Sequence, residues 1–197
     1  MKKEFEVISK IIKNNKRELD VGCGDGTLME YLKKNQQNDV RGLEPQKNLA
    51  QKCISKGLPV IEGDAEKDLL QFPEKSFDYV ILSQTLQAFF YPEKVLEELL
   101  RIGKQTIVTI PNFGYWKVRI HLLFKGTMPI TKNLPNEWYN TPNLHMCTIK
   151  DFVNFCYKKN IKIDKSMCLT DEKISEITNK NMSYKNIFSQ LGIFLIQ

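Results

Sequence analysis

A glycine-rich segment near the start of the chain holds the residues whose types and spacing are most suited to chemistry. It reads Asp20-Val21-Gly22-Cys23-Gly24-Asp25-Gly26 and follows a short run that we interpret as a strand. Glycine allows sharp backbone turns and lets a ligand approach the main chain closely. The spacing is G-x-G-x-G, whereas dinucleotide-binding loops have G-x-G-x-x-G, whose third position would fall here on Thr27. The segment therefore predicts a ligand-binding turn of a different class.

Two carboxylates in this segment favour a cationic ligand. Asp20 precedes the glycines and Asp25 lies among them. A pyrophosphate is held by bare amides at a helix N-terminus, and Asp25 would repel it there. S-adenosylmethionine (SAM) carries an ammonium and a sulfonium, which carboxylates stabilise, so the loop favours SAM over a dinucleotide. The alternative is a tight strand–helix turn that binds nothing, with Asp25 capping the helix.

Two further acidic residues are predicted to end strands on the same edge of the sheet. Glu44 lies 20 residues after Gly24 and is followed by Pro45. A carboxylate in this place accepts hydrogen bonds from ribose hydroxyls. Asp64 ends the third predicted strand, where its side chain would meet the adenine amino group and the Ala65 amide a ring nitrogen. A solvated strand-end acid and a turn aspartate are the alternatives.

The sequence contains no clear catalytic group. Ser83 and Gln84 follow the fourth predicted strand, where a cofactor and a methyl acceptor would meet. A general base with a pKa near the working pH is often needed for such chemistry. The candidates are His121 and His145, and either serves equally well as a structural histidine. No metal site is predicted, because no two of the five cysteines have C-x-x-C spacing.

The elements that position these residues alternate between strand and helix. This alternation predicts an α/β fold, a doubly wound and mostly parallel Rossmann-like sheet in one domain over residues 1–197. In such sheets ligands bind beyond the carboxyl ends of the strands, near the point where the strand order reverses. We expect seven strands, at 17–21, 40–43, 60–61, 77–82 and 105–110, then one beginning at 161–163 and a last at 187–196.

Residues 113–148 interrupt the alternation. The segment holds three prolines and four Trp or Tyr residues, and it is too long for a simple connection. We interpret it as an aromatic-rich insertion that covers the site or meets a partner. Thr148 and Asp151 form a capping-box pattern that predicts the start of a helix. Residues 170–186 are polar, and we expect a mobile segment there.

The composition narrows the classes of function. The net charge is +6, but only four of the 29 basic residues are arginine, and the lysines are scattered, so a nucleic-acid partner is not favoured. No apolar run reaches the ~20 residues of a membrane span, and residues 1–6 lack the apolar core of a signal peptide. We expect a cytoplasmic protein without a disulfide framework.

The chain resembles the class I SAM-dependent methyltransferases in four stretches, which are Asp20 to Gly26, Glu44, Gly63-Asp64 and Phe77-Asp78. More narrowly, it resembles the MetW family of methionine biosynthesis proteins. The stretches that carry this resemblance are 82–88, 111–116, Leu134-Pro135, and Trp138-Tyr139 through Asp151-Phe152. The resemblance implies binding of SAM or S-adenosylhomocysteine and a role beside homoserine O-acyltransferase as its activating partner. An active SAM-dependent methyltransferase for an unidentified small molecule is the alternative.

Overall fold

The computed structural model describes residues 3–131 and 133–197. In these ranges the strands are β1 Arg17–Val21, β2 Asp39–Glu44, β3 Val60–Glu62, β4 Phe77–Ser83, β5 Gly103–Pro111, β6 Ile163–Thr170, β7 Lys173–Glu176 and β8 Leu191–Ile196. The helices are α1 Lys3–Ile11, α2 Thr27–Gln36, α3 Lys47–Ser55, α4 Ala65–Asp68, α5 Pro92–Ile102, α6 Trp116–Lys125, α7 Ile149–Lys158 and α8 Met182–Phe188.

The strands form one sheet in the order β3-β2-β1-β4-β5-β8-β6-β7. The first five strands in this order are parallel, while β8 runs antiparallel to β5 and β6, and β7 antiparallel to β6. The chain runs outwards from β1 to β2 and β3, then returns to β4 on the other side of β1. The strand order therefore reverses between β1 and β4, and a crevice is expected at their carboxyl ends.

Alternating side chains on the strands build a core on each face of the sheet. On β4, Val80 and Leu82 join the buried cluster that contains residues of α5 and α7. Their neighbours Tyr79 and Ile81 join the cluster that contains residues of α1 and α2. The middle of a strand covered on both faces is apolar, as residues 79–82 of β4 are. Because Leu19 belongs to the first cluster, the neighbouring residue Asp20 faces the side of α1 and α2.

The mostly parallel α/β fold is confirmed, with one strand more than the seven predicted. The additional strand is β7, within the polar residues 170–186, where it pairs with β6 as a hairpin. Edge strands carry polar side chains, so the sequence pattern of this strand is weak. The helix α8 covers residues 182–188, where the first part was expected to be mobile and the last part to begin a strand. The last strand, β8, therefore begins at Leu191 and not at residue 187 as predicted. The sixth strand begins at Ile163 and continues to Thr170.

The predicted start of α7 is confirmed in atomic detail. Thr148 Oγ1 accepts a hydrogen bond from the Asp151 amide at 3.1 Å, and the Thr148 amide donates to Asp151 Oδ2 at 3.0 Å. This reciprocal pair satisfies two of the backbone amides that a helix N-terminus leaves without partners.

The aromatic-rich segment 113–148 contains α6 and a long irregular loop. Tyr115, Val118 and Leu134 pack together as a small separate cluster with Phe113 beside it. The backbone of residues 144–145 donates to the Gln87 carbonyl, which ties the end of the segment to the loop after β4. Asn133 and Pro135 reach the cleft described below.

Candidate functional site

A cleft of about 1220 Å³ opens beyond the carboxyl ends of β1 and β4. The walls come from α1, α2, the loop around Asn133, the β6–β7 turn and the residues before β8. Of the residues that the sequence predicts to bind a cofactor, the cleft lining includes Asp20, Gly22, Cys23, Gly24, Asp25, Ser83 and Gln84. Residues from the first and fourth strands are thus brought together at the point where the strand order reverses.

The glycine loop has a backbone that favours glycine at three positions. Gly22, Gly24 and Gly26 have φ values of 71°, 58° and 77°. A β-carbon at Gly22 would lie 2.7 Å from Thr85 Cγ2, and one at Gly26 would lie 2.6 Å from Leu58 Cδ1. A β-carbon at Gly24 would meet no atom within 4 Å. Two of the glycines therefore allow close packing, and Gly24 leaves the backbone open to a ligand.

Asp20 is the buried carboxyl group of the cleft. Its side chain is on β1 with 1% of the residue exposed, and Oδ1 has no hydrogen-bond partner. Burial, followed by the charges of Glu18, Glu4 and Glu44, raises the pKa of Asp20 to about 8. An unpaired buried carboxyl group is destabilising, and natural proteins retain such groups mainly where function needs them.

Asp25 lies at the rim of the cleft and also closes the loop. Its Oδ1 accepts hydrogen bonds from Thr27 Oγ1 at 2.6 Å and from the Thr27 amide at 3.2 Å. The hydrogen bond from the Thr27 hydroxyl holds the pKa of Asp25 below its usual range, and the Lys56 ammonium contributes further. The N-cap residue of α2 is Gly26, so Asp25 closes the turn before the helix and does not occupy the capping position of the alternative prediction.

Glu44 stabilises the glycine loop from behind. It is 4% exposed and does not line the cleft; Oε2 accepts from the Gly24 amide at 2.8 Å and Oε1 from the Gln46 amide at 3.0 Å. A carboxylate offers about four acceptor sites, so sites remain for ligand hydroxyl groups. Pro45 lies between Glu44 and Gln46 in the turn after β2.

The pair predicted to meet adenine lies beyond β3, outside the cleft lining. Asp64 caps α4, because its Oδ1 accepts from the Glu66 amide at 3.0 Å. The Asp64 amide donates to Asp68 Oδ2 at 2.7 Å, and Ala65 is buried. The structure therefore engages both the amide and the side chain of Asp64 in local hydrogen bonds.

Neither histidine lines the cleft. His121 is on α6, with Nε2 at 3.0 Å from Thr127 Oγ1. His145 is exposed in the loop before α7, where its amide donates to the Gln87 carbonyl at 3.0 Å. Cys23 does line the cleft, but burial raises the pKa of its thiol, which disfavours the thiolate.

Glu4 is a cleft residue that the sequence reasoning missed. It lies in the first turn of α1 with 3% of the residue exposed. Its Oε1 accepts from Ser83 Oγ at 2.9 Å and from Thr109 Oγ1, and its Oε2 accepts from Gln84 Nε2 at 2.6 Å. The sequence signal that could have identified Glu4 as buried is its position. Glu4 lies four residues before Ile8 and therefore falls on the apolar stripe of the helix.

Two classes of site have no counterpart in residues 3–131 and 133–197. Within these ranges no group of three or more His, Cys, Asp or Glu side chains is arranged to hold a metal ion. Likewise, none of the helices described there combines the length and the apolar character needed to cross a bilayer.

Solved structures share the fold of this chain. A SAM-dependent methyltransferase from Thermotoga maritima, described as a possible histamine N-methyltransferase, has a TM-score of 0.70 at 18% identity, covering 98% of this chain and 87% of that one. A SAM-dependent methyltransferase from Mesorhizobium loti has a TM-score of 0.71 at 14% identity, covering 99% and 97%. The chain therefore has the class I methyltransferase fold.

Sequence comparison identifies the family. A profile of the family described as "Methionine biosynthesis protein MetW" matches residues 2–196. A bifunctional methionine biosynthesis protein MetXA/MetW of Rhodopirellula baltica is 34% identical over 175 residues, 82% of this chain and 27% of that protein. An uncharacterized protein of Methanocaldococcus jannaschii is 31% identical over 134 residues, 66% of this chain and 51% of that protein. The chain thus spans between about a quarter and a half of these relatives, and it belongs to the MetW family of methionine biosynthesis proteins.

Proposed function

We propose that this chain binds SAM in the cleft and acts as a regulatory partner of homoserine O-acyltransferase. The observation that carries the first part is Asp20, a buried carboxyl group with an unpaired oxygen beside an open glycine loop. A cationic ligand would supply the missing partner, and the ammonium of SAM is such a group. A neutral ligand or an anion would not stabilise the charged form of this carboxyl group.

For the ammonium, the ribose and the adenine of SAM, the chain has a candidate binding residue. Asp20 would bind the ammonium, while Gly24 lets the loop backbone approach the ligand. The free acceptor sites of Glu44 would take the ribose hydroxyls, and Asp64 with Ala65, beyond β3 and outside the cleft lining, would take the adenine. Bound SAM supplies a methyl group on a sulfonium. The residues of this chain bind and orient it, and the cleft lining has no histidine to deprotonate an acceptor.

An exposed apolar face of α6 supports the second part of the proposal. Trp116, Ile120, Leu123 and Phe124 follow helical i, i+3 and i+4 spacing, and Leu123 and Phe124 are 76% and 78% exposed. We call these four residues the α6 face. Exposed apolar faces of this kind mark interfaces with other proteins.

The occupant that we propose for the α6 face is the acyltransferase. The name of the Rhodopirellula relative joins a MetXA part to a MetW part, so another polypeptide segment accompanies the MetW part in that protein. Resemblance to the MetW family suggests homoserine O-acyltransferase as the activity of that accompanying segment. A partner that packs against aromatic and aliphatic side chains would bury them away from water, which is the main source of affinity at such interfaces.

The test measures acyl transfer to homoserine by the cognate acyltransferase, with and without this protein, and each with and without SAM. We expect the protein to raise the rate and SAM to change the size of that rise. No change of rate in any of the four mixtures would overturn the partner proposal. Calorimetric titration with SAM in parallel tests the binding proposal separately.

The α6 face is tested by Phe124→Ser. We expect this variant to lose most of the stimulation of the acyltransferase while its affinity for SAM stays that of the wild type. The matched control is Tyr157→Ser on α7, where the removed aromatic ring is 84% exposed and lies outside the α6 face. Equal stimulation by the Phe124→Ser variant and the wild type would show that the partner binds elsewhere.

One observation favours methyl transfer to a small molecule as a second candidate function. The cleft of about 1220 Å³ is larger than the roughly 300–1,000 Å³ of typical small-molecule sites, so it has room for an acceptor beside SAM. Incubation with methyl-labelled SAM and a metabolite extract tests this function. Label in a new product would establish it, and unchanged SAM would contradict it.

A further inference from the structure

The carboxylate of Glu4 has three hydrogen-bond partners, and all three are neutral. The Ser83 hydroxyl, the Thr109 hydroxyl and the Gln84 amide donate to it from the carboxyl ends of β4 and β5. Neutral donors orient a carboxylate and stabilise its charged form, but they do not cancel its charge. Glu4 therefore places a carboxyl group, bonded to neutral donors, at this end of the cleft.

Basic side chains do not neutralise the interior of the cleft. Within the described parts of the chain, neither Glu4 nor Asp20 forms an ion pair with a lysine, arginine or histidine. The lining contains Lys3, whose ammonium instead lies 2.6 Å from Glu6 Oε2, and the exposed Lys34 on α2. The two buried carboxyl groups thus make this part of the cleft suited to a cation, which would favour the charged form of Asp20, although the whole chain has a net charge of +6.

The two carboxyl groups lie by different elements of the cleft. Asp20 precedes the glycine loop at the end of β1, whereas Glu4 contacts Ser83 and Gln84 at the end of β4. SAM has two positive groups, an ammonium and a sulfonium. Asp20 beside the loop is suited to the ammonium, which leaves Glu4 to act on the sulfonium at the end of β4.

We infer that Glu4 is a specificity residue that makes the cleft prefer SAM over S-adenosylhomocysteine. The inference rests on the proposed binding of SAM. The two molecules share the ammonium and the ribose and adenine groups, and they differ in one methyl group and in the charge on sulfur. A carboxylate at the sulfonium stabilises SAM alone, because the sulfur of S-adenosylhomocysteine is neutral.

This specificity suits a protein that reports SAM concentration. A carboxylate at the sulfonium stabilises the charged reactant, and the charge disperses as a methyl group leaves for a neutral acceptor. Stabilisation of the ground state beyond that of the transition state does not accelerate a reaction. Glu4 therefore favours binding of SAM over transfer of its methyl group. S-adenosylhomocysteine, the demethylated product, would bind more weakly and would not act in place of SAM.

The experiment is calorimetric titration of SAM and S-adenosylhomocysteine into the wild type, Glu4→Gln and Glu97→Gln. We expect the wild type to bind SAM about tenfold more tightly than S-adenosylhomocysteine. In Glu4→Gln the two affinities should come within about threefold, chiefly through loss of SAM affinity. Glu97→Gln makes the same change at an exposed position on α5 and should retain the wild-type ratio.

Each other outcome has a definite meaning. Equal affinities in the wild type, or an equal loss for both ligands in Glu4→Gln, would overturn the role of Glu4 and leave SAM binding intact. No binding of either ligand to the wild type would instead refute the proposed function. If Glu4→Gln does not fold, sinefungin, which carries an ammonium in place of the sulfonium, tests the same charge in the wild type. It should bind like SAM, and binding as weak as that of S-adenosylhomocysteine would overturn the inference.

Discussion

Asp20 illustrates how a single residue can link burial to ligand binding. Its carboxyl group has a pKa of about 8, because burial and three neighbouring acids disfavour the charged form. In the free protein at pH 6.5 the group is therefore protonated. A cation placed beside Oδ1 favours the carboxylate, so binding of the ammonium should displace the proton. Affinity and proton release are then two measures of the same contact.

For Asp20→Asn we expect the affinity for SAM to fall about ten- to a hundredfold, because a charge-assisted hydrogen bond is lost. Titration calorimetry at pH 6.5, in buffers of different ionisation enthalpy, should show release of nearly one proton by the wild type and of none by the variant. Asp78→Asn is the control, since Asp78 lies at the other end of β4 and pairs with Lys104 at 2.9 Å. Wild-type affinity and proton release in Asp20→Asn would contradict the assignment.

Replacement of Glu44 should also weaken SAM binding, through the ribose and the glycine loop. Glu44→Ala removes acceptor sites for ribose and frees the Gly24 amide, which now donates to Oε2 at 2.8 Å. We expect SAM affinity to fall about ten- to a hundredfold in the same titration. Glu62→Ala is a close control, because Glu62 is the exposed register partner of Glu44 on β3. Unchanged affinity in Glu44→Ala would mean that the ribose lies elsewhere.

At the scale of elements, similar helices serve different purposes. In α1 the apolar residues Phe5, Ile8 and Ile11 are buried against the sheet, and this packing holds Glu4 at the cleft. In α6 only Val118 is buried, so packing leaves most of that helix surface free. The helix α7 is stabilised by both its packing and its capping box. The exposed face of α6 and the N-terminus of α7 can therefore be altered separately from the cleft lining.

The capping box of α7 predicts a change in stability without a change in binding. Thr148→Ala removes the hydroxyl that accepts from the Asp151 amide, and this should reduce the free energy of unfolding by about 1 kcal/mol. Urea denaturation measures this loss, and SAM affinity should not change. Thr178→Ala, at an exposed threonine outside α7, should stay within about 0.5 kcal/mol of the wild type. A loss of SAM affinity in Thr148→Ala would mean that α7 influences the cleft.

At the scale of the whole molecule, the sheet gathers acidic groups into one region of a basic chain. Glu18 and Asp20 face the same side of β1, and burial raises the pKa of Glu18 to about 7 despite a hydrogen bond from Asn38. Both groups are more basic in the folded state than in the unfolded chain. Between the unfolded value near 4 and the folded values, the unfolded state therefore binds fewer protons, and stability must fall as the pH rises.

We expect the free energy of unfolding to decrease from pH 5 to pH 8. Each of the two groups contributes a slope of at most about 1.4 kcal/mol per pH unit. Urea denaturation at several pH values measures the slope, and Asp20→Asn should be flatter and more stable than the wild type at pH 8. Asp25 and Asp78, whose pKa values are lowered, affect stability only below about pH 4 to 5 and do not mask the trend. Constant or rising stability over this range would contradict the prediction.

Features that depend on neighbouring residues could be predicted from the sequence. The glycine loop, the strand–helix alternation and the Thr148 capping box each need only a few consecutive residues to be recognised. The class of fold follows from the order of such elements. The strand β7 was missed because a polar edge strand has little periodicity of its own.

Only the tertiary structure decided which side chains share the cleft and which are charged there. Glu4 meets Ser83, Gln84 and Thr109 across 79 to 105 residues of chain, so no local pattern could place it. The same holds for Asp20, whose raised pKa depends on burial and on acids that include Glu4 of α1 and Glu44 of β2. Local propensity is a property of short segments. Burial and electrostatic coupling arise only when the sheet brings distant segments together.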